Sequence, residues 1–214
     1  MLVITEPATM ATDYLLAAFS LAWGWLLWCR GAEAGSVAIR WWAGGFFAVA
    51  TAAAAGGTVH GFRSWLGSDG EAALWTASLW AIGLFAFCAL STAAAAGARP
   101  RNRVPLQAAA AILLAAYLGW TWTHDEFRSA IAAYGLAMVL LVAQQAYSWA
   151  RWRAPAAPWI LAGVAVAMIG SVVQQTGLSL HEHLNHNDLY HVLQIGAGGL
   201  FYRGGTLLAD RRAE

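Results

Sequence analysis

The sequence predicts an all-α protein, a polytopic bundle of seven transmembrane helices, and three observations predict it. The 214-residue chain is 60% hydrophobic and only 11% charged, with 13 tryptophans. Its mean hydropathy is +0.54, so it has little from which to build a water-facing surface. Stretches near the ~20 apolar residues needed to cross a bilayer recur along its whole length. These stretches are continuous rather than alternating, which argues against a transmembrane β-barrel.

Seven spans are predicted, at about 12–30, 40–62, 71–97, 104–123, 128–150, 156–179 and 187–208, from runs of apolar residues. Turn and charge clusters separate them: "CRGAEAGS", "RSWLGSDGE", "ARPRNR", "THDEFR", "RWRAPAAP" and "LSLHEHLNHND". No linker is long enough for a second domain, so residues 1–214 form one transmembrane domain. Glu6 and Asp13 precede the first apolar run where a cleavable signal peptide would carry basic residues.

Arginine placement sets the orientation. Ten of the twelve basic residues, all of them Arg, fall on one predicted side, and only Arg63 and Arg128 fall on the other. The N-terminus is therefore predicted outside and the C-terminus cytoplasmic, in a plasma (bacterial inner) membrane. The use of Arg to the exclusion of Lys points to a GC-rich, bacterial genome. Without Lys there is no retinal Schiff base, which excludes a rhodopsin-like photoreceptor. Cys29 and Cys88 fall at or within apolar segments and read as packing residues rather than a disulfide framework. "TAAAAGG" and "STAAAAGA" read as close helix packing, with Ala53 and Gly57 as a small-xxx-small pair. Trp120, Trp122, Trp149 and Trp152 read as interfacial anchors.

Sorted by side, all six histidines and eight of the eleven acids fall outside. The positive-inside rule does not demand this, because Asp, Glu and His contribute little to it. Asp13, His60 and His191 fall inside the outer ends of spans one, two and seven. Ionisable groups within spans are costly, and they mark candidate functional sites. Zinc binds imidazole nitrogen, and a catalytic site uses three protein ligands and one open position. His183 lies too far from His191 to share an ion, about 12 Å at 1.5 Å per residue. Asn187 and Asp188 lie one turn before His191 on the same face. His186 is about 140° round the helix and reaches the same ion only if the helix begins irregularly, with Asn187 as N-cap. The expected metal ligands are His60, His186 and His191, with Asp188 as substitute ligand or supporting acid. His181, Glu182 and His183 read as a solvated loop and His124 as interfacial. Gln174, Gln175 and Gln194 are candidates to line the cavity or to bond between helices.

The His ending span two in "GGTVHGF" and the His-bearing "HNDLYH" opening span seven resemble a membrane hydrolase superfamily. It comprises alkaline ceramidases, progestin–adiponectin receptors and post-GPI phospholipase and myomaker-type proteins. The resemblance implies a seven-span fold with zinc held by His60 and His191, and Glu71 as the acid that helps to activate water. The chain departs from the pattern in two places. Gly56 stands where the family has a Ser, with Thr58 the nearest hydroxyl, and Asn187 stands where it has the first His of H-x-x-x-H, with His186 beside it. "HNDLYH" also resembles a motif of uncharacterised bacterial seven-span proteins.

The expected function is therefore zinc-dependent hydrolysis of a membrane-lipid amide or ester at the outer helix ends, with Asp188 or Glu71 as general base. Two alternatives are a bis-His haem electron carrier and a non-enzymatic sensor of metal or pH. A transporter is disfavoured because few charges lie near the midplane. Nucleic-acid binding has no support beyond a short Arg cluster.

Overall fold

The computed structural model describes residues 3–181 and 184–211. Glu182 and His183 lie outside the described residues. Six helices follow one another: α1 (Pro7–Glu33), α2 (Val37–Gly97), α3 (Pro100–Thr121), α4 (Phe127–Trp152), α5 (Ala157–Thr176) and α6 (His186–Gly205).

Proline in the first turn starts α1, α3 and α5, where its fixed φ suits the helix and its missing N–H is no loss. Ser36 caps α2 by accepting from the Ile39 N–H. The Ser36 cap is itself held from the other end of the chain. Asp210 accepts from the Ser36 hydroxyl at 2.9 Å, the Val37 N–H at 3.1 Å and the Ala38 N–H at 2.8 Å. A carboxylate is well placed there, because the first N–H groups of a helix lack internal partners and carry its positive end.

At 61 residues α2 would reach about 90 Å as one rod, three times the ~30 Å of a bilayer's apolar core. Instead it doubles back. Phe62 (φ −124°, ψ 18°) and Gly67 (φ 64°, ψ 172°) leave helical geometry. The Thr92 hydroxyl donates to the Ala38 carbonyl and the Ser78 hydroxyl to the Ala52 carbonyl, while Gly45 lies against Phe85. Partners therefore run in opposite directions, and α2 is a hairpin of two antiparallel arms, 37–61 and 68–97. The sequence expectation of a break in "RSWLGSDGE" holds, but it is a two-point kink rather than a loop.

Helix packing closes a ring in which α1 packs on α2 and α6, α5 on α4 and α6, and α2 on α4. α3 lies outside this ring against α2, burying only Ala110 and Thr121. Two ends can be told apart. At one, Arg30 donates to the Thr206 carbonyl, Arg211 to the Gly97 carbonyl, and Arg211 stacks over Trp152. At the other, the 62–67 turn joins the starts of α1, α4 and α6. The apolar core includes Leu27, Trp42, Phe46, Met138, Ile160 and Phe201.

Large apolar side chains face outward along the helices, among them Trp25, Ile112, Val139 and Ile169. Helices α1 to α5 are each long and apolar enough to cross a membrane. α6 carries His186, Asp188 and His191 in its first two turns and Arg203 in its last.

Candidate functional site

The first two turns of α1 hold the site together. "TEPATMATD" places Thr12 and Asp13 three and four residues after Thr9 on α1, with Glu6 as the N-cap residue ahead of them. Each meets a partner from another element. Glu6 Oε2 lies 3.0 Å from His60 Nδ1. Thr9 Oγ1 accepts from Asn185 Nδ2 at 3.3 Å. Thr12 Oγ1 lies 3.0 Å from His191 Nδ1, and Asp13 Oδ1 lies 3.1 Å from His191 Nε2.

The backbone locks the same junction. The non-helical turn at Phe62 interrupts the helical ladder just beyond His60. The carbonyls of His60 and Gly61 instead accept the Glu6 and Thr5 N–H groups, at 3.2 and 3.1 Å, and the Thr5 hydroxyl also donates to His60. Glycine allows the close approach of α1: a Cβ on Gly57 would sit 2.8 Å from Asp13 Cβ, nearer than real Cβ atoms come.

His191 is 7% exposed, Asp13 4% and Asp188 0%. Burying a charge is costly unless it is paired, yet Asp13 Oδ2 and Asp188 Oδ1 have no hydrogen-bond partner among the described residues. Asp188 Oδ2 accepts the Asn185 N–H at 2.8 Å, and Asn185 Oδ1 accepts the N–H groups of Asn187 and Asp188. This reciprocal capping box starts α6.

The helix start corrects two sequence readings. The N-cap is Asn185 rather than Asn187, and His186 is already the first helical residue. The irregular start that would swing His186 round to His191 does not occur, because the box fixes regular geometry one residue earlier. Among the described residues no three His, Cys, Asp or Glu side chains converge closely enough to hold an ion as they stand. His60, His186 and His191 do, however, line one cavity of about 280 Å³ together with Asp13. Aromatic rings line it as well, Trp75 and Phe127 near the histidines and Trp42, Phe46 and Phe201 further in.

The other candidates are elsewhere. Glu71 pairs with Arg63 at 2.9 Å and does not line the cavity. The Thr58 hydroxyl donates to the Ala54 carbonyl at 2.7 Å and meets Tyr14 Oη at 3.0 Å, also away from it. His124 is half-buried and stacked on Trp120. Gln174 and Gln194 line the cavity, and Gln194 also donates to the Ala167 carbonyl. Both cysteines are free. Glu6, Thr9 and Thr12 were missed by reading spans for apolar content alone. Their helical spacing around Asp13 is the signal that finds them.

The donor chemistry at the mouth fits a divalent cation in kind. Two imidazoles and an unsatisfied carboxylate face one cavity, and each imidazole has its Nδ1 tied to an outside group. Metal-bound histidines are characteristically held in this way.

Fold and site together define an all-helical protein, with helices suited to a membrane and a polar site sunk into one end of the bundle. The chain belongs to a family of unknown function (DUF6962), which it matches over residues 8–210. No curated protein and no solved structure matches it.

Proposed function

We propose that this chain is a seven-span integral membrane hydrolase that depends on a divalent cation, zinc by its donors, and cleaves an amide or ester of a membrane lipid. The two breaks in α2 give seven helical segments, and the segregation of arginines supports the arginine end as the cytoplasmic one. The observation that carries the functional reading is the pairing of His60 and His191 at the mouth of one cavity, each with Nδ1 held by α1. This reading gives Nε2 of each ring to the metal, with His191 Nε2 also 3.1 Å from Asp13 Oδ1.

Zinc, when bound, supplies polarisation of the scissile carbonyl and a water activated near neutral pH. The chain supplies the rest. Glu6 and Thr12 fix the orientation of the two rings. The aromatic lining takes the apolar part of the substrate and excludes water. Of the two acids considered for moving the proton, Glu71 is engaged by Arg63, and Asp188, fully buried one turn before His191, is held by the Asn185 N–H and does not line the cavity, although its Oδ1 has no hydrogen-bond partner among the described residues. This reading keeps Asp188 only as an acid behind His191, not as one that faces the cavity.

Elemental analysis of the detergent-purified protein tests the proposal. Close to one zinc per chain is expected, lost in the double variant His60→Ala/His191→Ala. Absence of any stoichiometric divalent metal from the wild-type chain overturns it.

A further inference from the structure

We infer that the gap between α3 and α4 holds one anionic phospholipid from the leaflet at the arginine end, its phosphate among Arg99, Arg103 and Arg211 and an acyl chain in the apolar groove below them. The site needs the chain in a membrane but does not need the metal.

The groove is the first observation. α3 and α4 both pack against the second arm of α2, through Tyr117 on Gly83 and Tyr134 on Phe85, and barely touch each other. Between them lies a groove of about 90 Å³, lined by Leu90 of α2, Ala110 and Leu113 of α3, and Ala133 and Leu136 of α4. Its one polar side chain is Tyr117, whose hydroxyl is engaged, donating to the Leu79 carbonyl at 2.9 Å. A space lined in this way offers a water molecule no partners. Leu113 is 46% exposed and Leu136 51%. The groove therefore opens on the outer surface of the bundle, where hydrocarbon chains are at hand.

The head of the same gap is basic. Arg211 spans it: its carbonyl accepts from Arg103 Nη2 on α3, while its guanidinium lies 4.7 Å over Trp152 at the end of α4 and donates to the Gly97 carbonyl at 2.8 Å. Arg99 and Arg103 stand four residues apart at the start of α3, a spacing at which like charges repel. Arg103 Nε is buried without a partner. Its Nη1 lies 3.9 Å from Asp210, the only acid paired with these three arginines among the described residues. That carboxylate is already shared by three donors at the start of α2. Topology explains why arginines gather in this loop. It does not explain their place on a helix start, which already carries positive potential. The first turn of α3 has no acid and its N-cap makes no side-chain hydrogen bond. Free N–H groups beside guanidinium groups suit a phosphate.

Depth joins the two halves. Ala110 lies seven residues beyond Arg103, about 10 Å along the helix at 1.5 Å per residue. A bilayer of ~40–45 Å with an apolar core of ~30 Å has a headgroup layer of about 5–8 Å on each side. A phosphate held at Arg103 thus brings the upper part of an acyl chain level with the groove.

Native mass spectrometry tests this on the full-length chain in detergent, delipidated and then titrated with phosphatidylglycerol or with phosphatidylcholine. One phosphatidylglycerol per chain is expected, bound about tenfold or more tighter than phosphatidylcholine. Arg103→Gln is expected to weaken it more than about tenfold, as loss of a hydrogen bond to a charged group does. Ala133→Phe, which fills the groove, should do the same, as exposing about two methylenes would. Arg101→Gln removes an equal charge from a position two residues away that does not face the other two. It should stay within the roughly fivefold that general surface attraction gives per arginine. If Arg103→Gln or Ala133→Phe does not fold, Arg99→Gln and Leu136→Trp, both at exposed positions, carry the same expectations. Equal affinity for the two lipids, or equal losses in Arg101→Gln and Arg103→Gln, overturns the inference in favour of general attraction to a charged surface. Unchanged binding in Ala133→Phe, or displacement of the lipid by inorganic phosphate alone, overturns it in favour of a simple anion site. Zinc content plays no part in these readouts, so failure here leaves the proposed function standing.

Discussion

Single residues decide how tightly α1 is seated. Gly57 is the clearest case, because a methyl group there meets Asp13 Cβ, which sits on the backbone and cannot swing aside. Gly57→Ala is expected to destabilise the protein by about 1–3 kcal/mol, as overpacking does; thermal unfolding in detergent reads the effect. The start of α6 gives a paired prediction. Asn185→Ala removes the acceptor for two N–H groups and should cost about 0.5–2 kcal/mol, whereas Asn187→Ala should stay within about 0.5 kcal/mol. Equal losses would show that the cap is misassigned. Residue by residue, Asp13, His60 and His191 were legible in the sequence because an ionisable group inside an apolar run is conspicuous. Glu6 and Thr12 were not, because polar residues just before an apolar run look like an ordinary solvated approach. The sequence reading took Asn187 as the cap, and composition gives no reason to prefer Asn185, since either residue can cap. Only the reciprocal bond from Asp188 distinguishes them.

The helices were read correctly as apolar segments but less well at their limits, and each discrepancy has a local cause. α1 begins at Pro7, five residues before the apolar run, because proline favours a first turn irrespective of hydropathy. The extra turn carries half of the site. In α2 the turn cluster "RSWLGSDGE" was legible as a reversal, but the chain stays helical through most of it. Gly67 makes this possible by adopting φ 64° and ψ 172°, a region essentially closed to other residues, where strain amounts to about 1–3 kcal/mol. Gly67→Ala should therefore destabilise by that amount, although no side chain or backbone lies within 4 Å of a Cβ there. The same change at Gly119, which is helical and equally open, should be neutral or stabilising. If both variants unfold at the same temperature, backbone conformation at residue 67 is not what forms the hairpin.

For the molecule as a whole, the two ends differ in kind. The arginine end is tied by the chain's last described residues, with Asp210 on the start of α2 and Arg211 on its finish. The site end is where the cavity opens and where α1 gathers the arms of α2 and α6. The cavity runs from His60 and His186 down to Trp42 and Phe201, so it enters the bundle from the site end. That makes orientation a functional matter: the proposed reading needs Ser68, in the turn between the arms of α2, on the opposite side of the membrane from Asn102, at the start of α3. Both are exposed. Introduced singly as Ser68→Cys and Asn102→Cys after Cys29 and Cys88 are replaced by Ala, the first should react with a membrane-impermeant maleimide on intact cells whose outer barrier is opened. The second should react only once the inner membrane is disrupted. Labelling of both from one side would mean that the 68–97 arm does not cross the bilayer. Reversed labelling would turn the site toward the cytoplasm, and the lipid it meets would then come from the other leaflet.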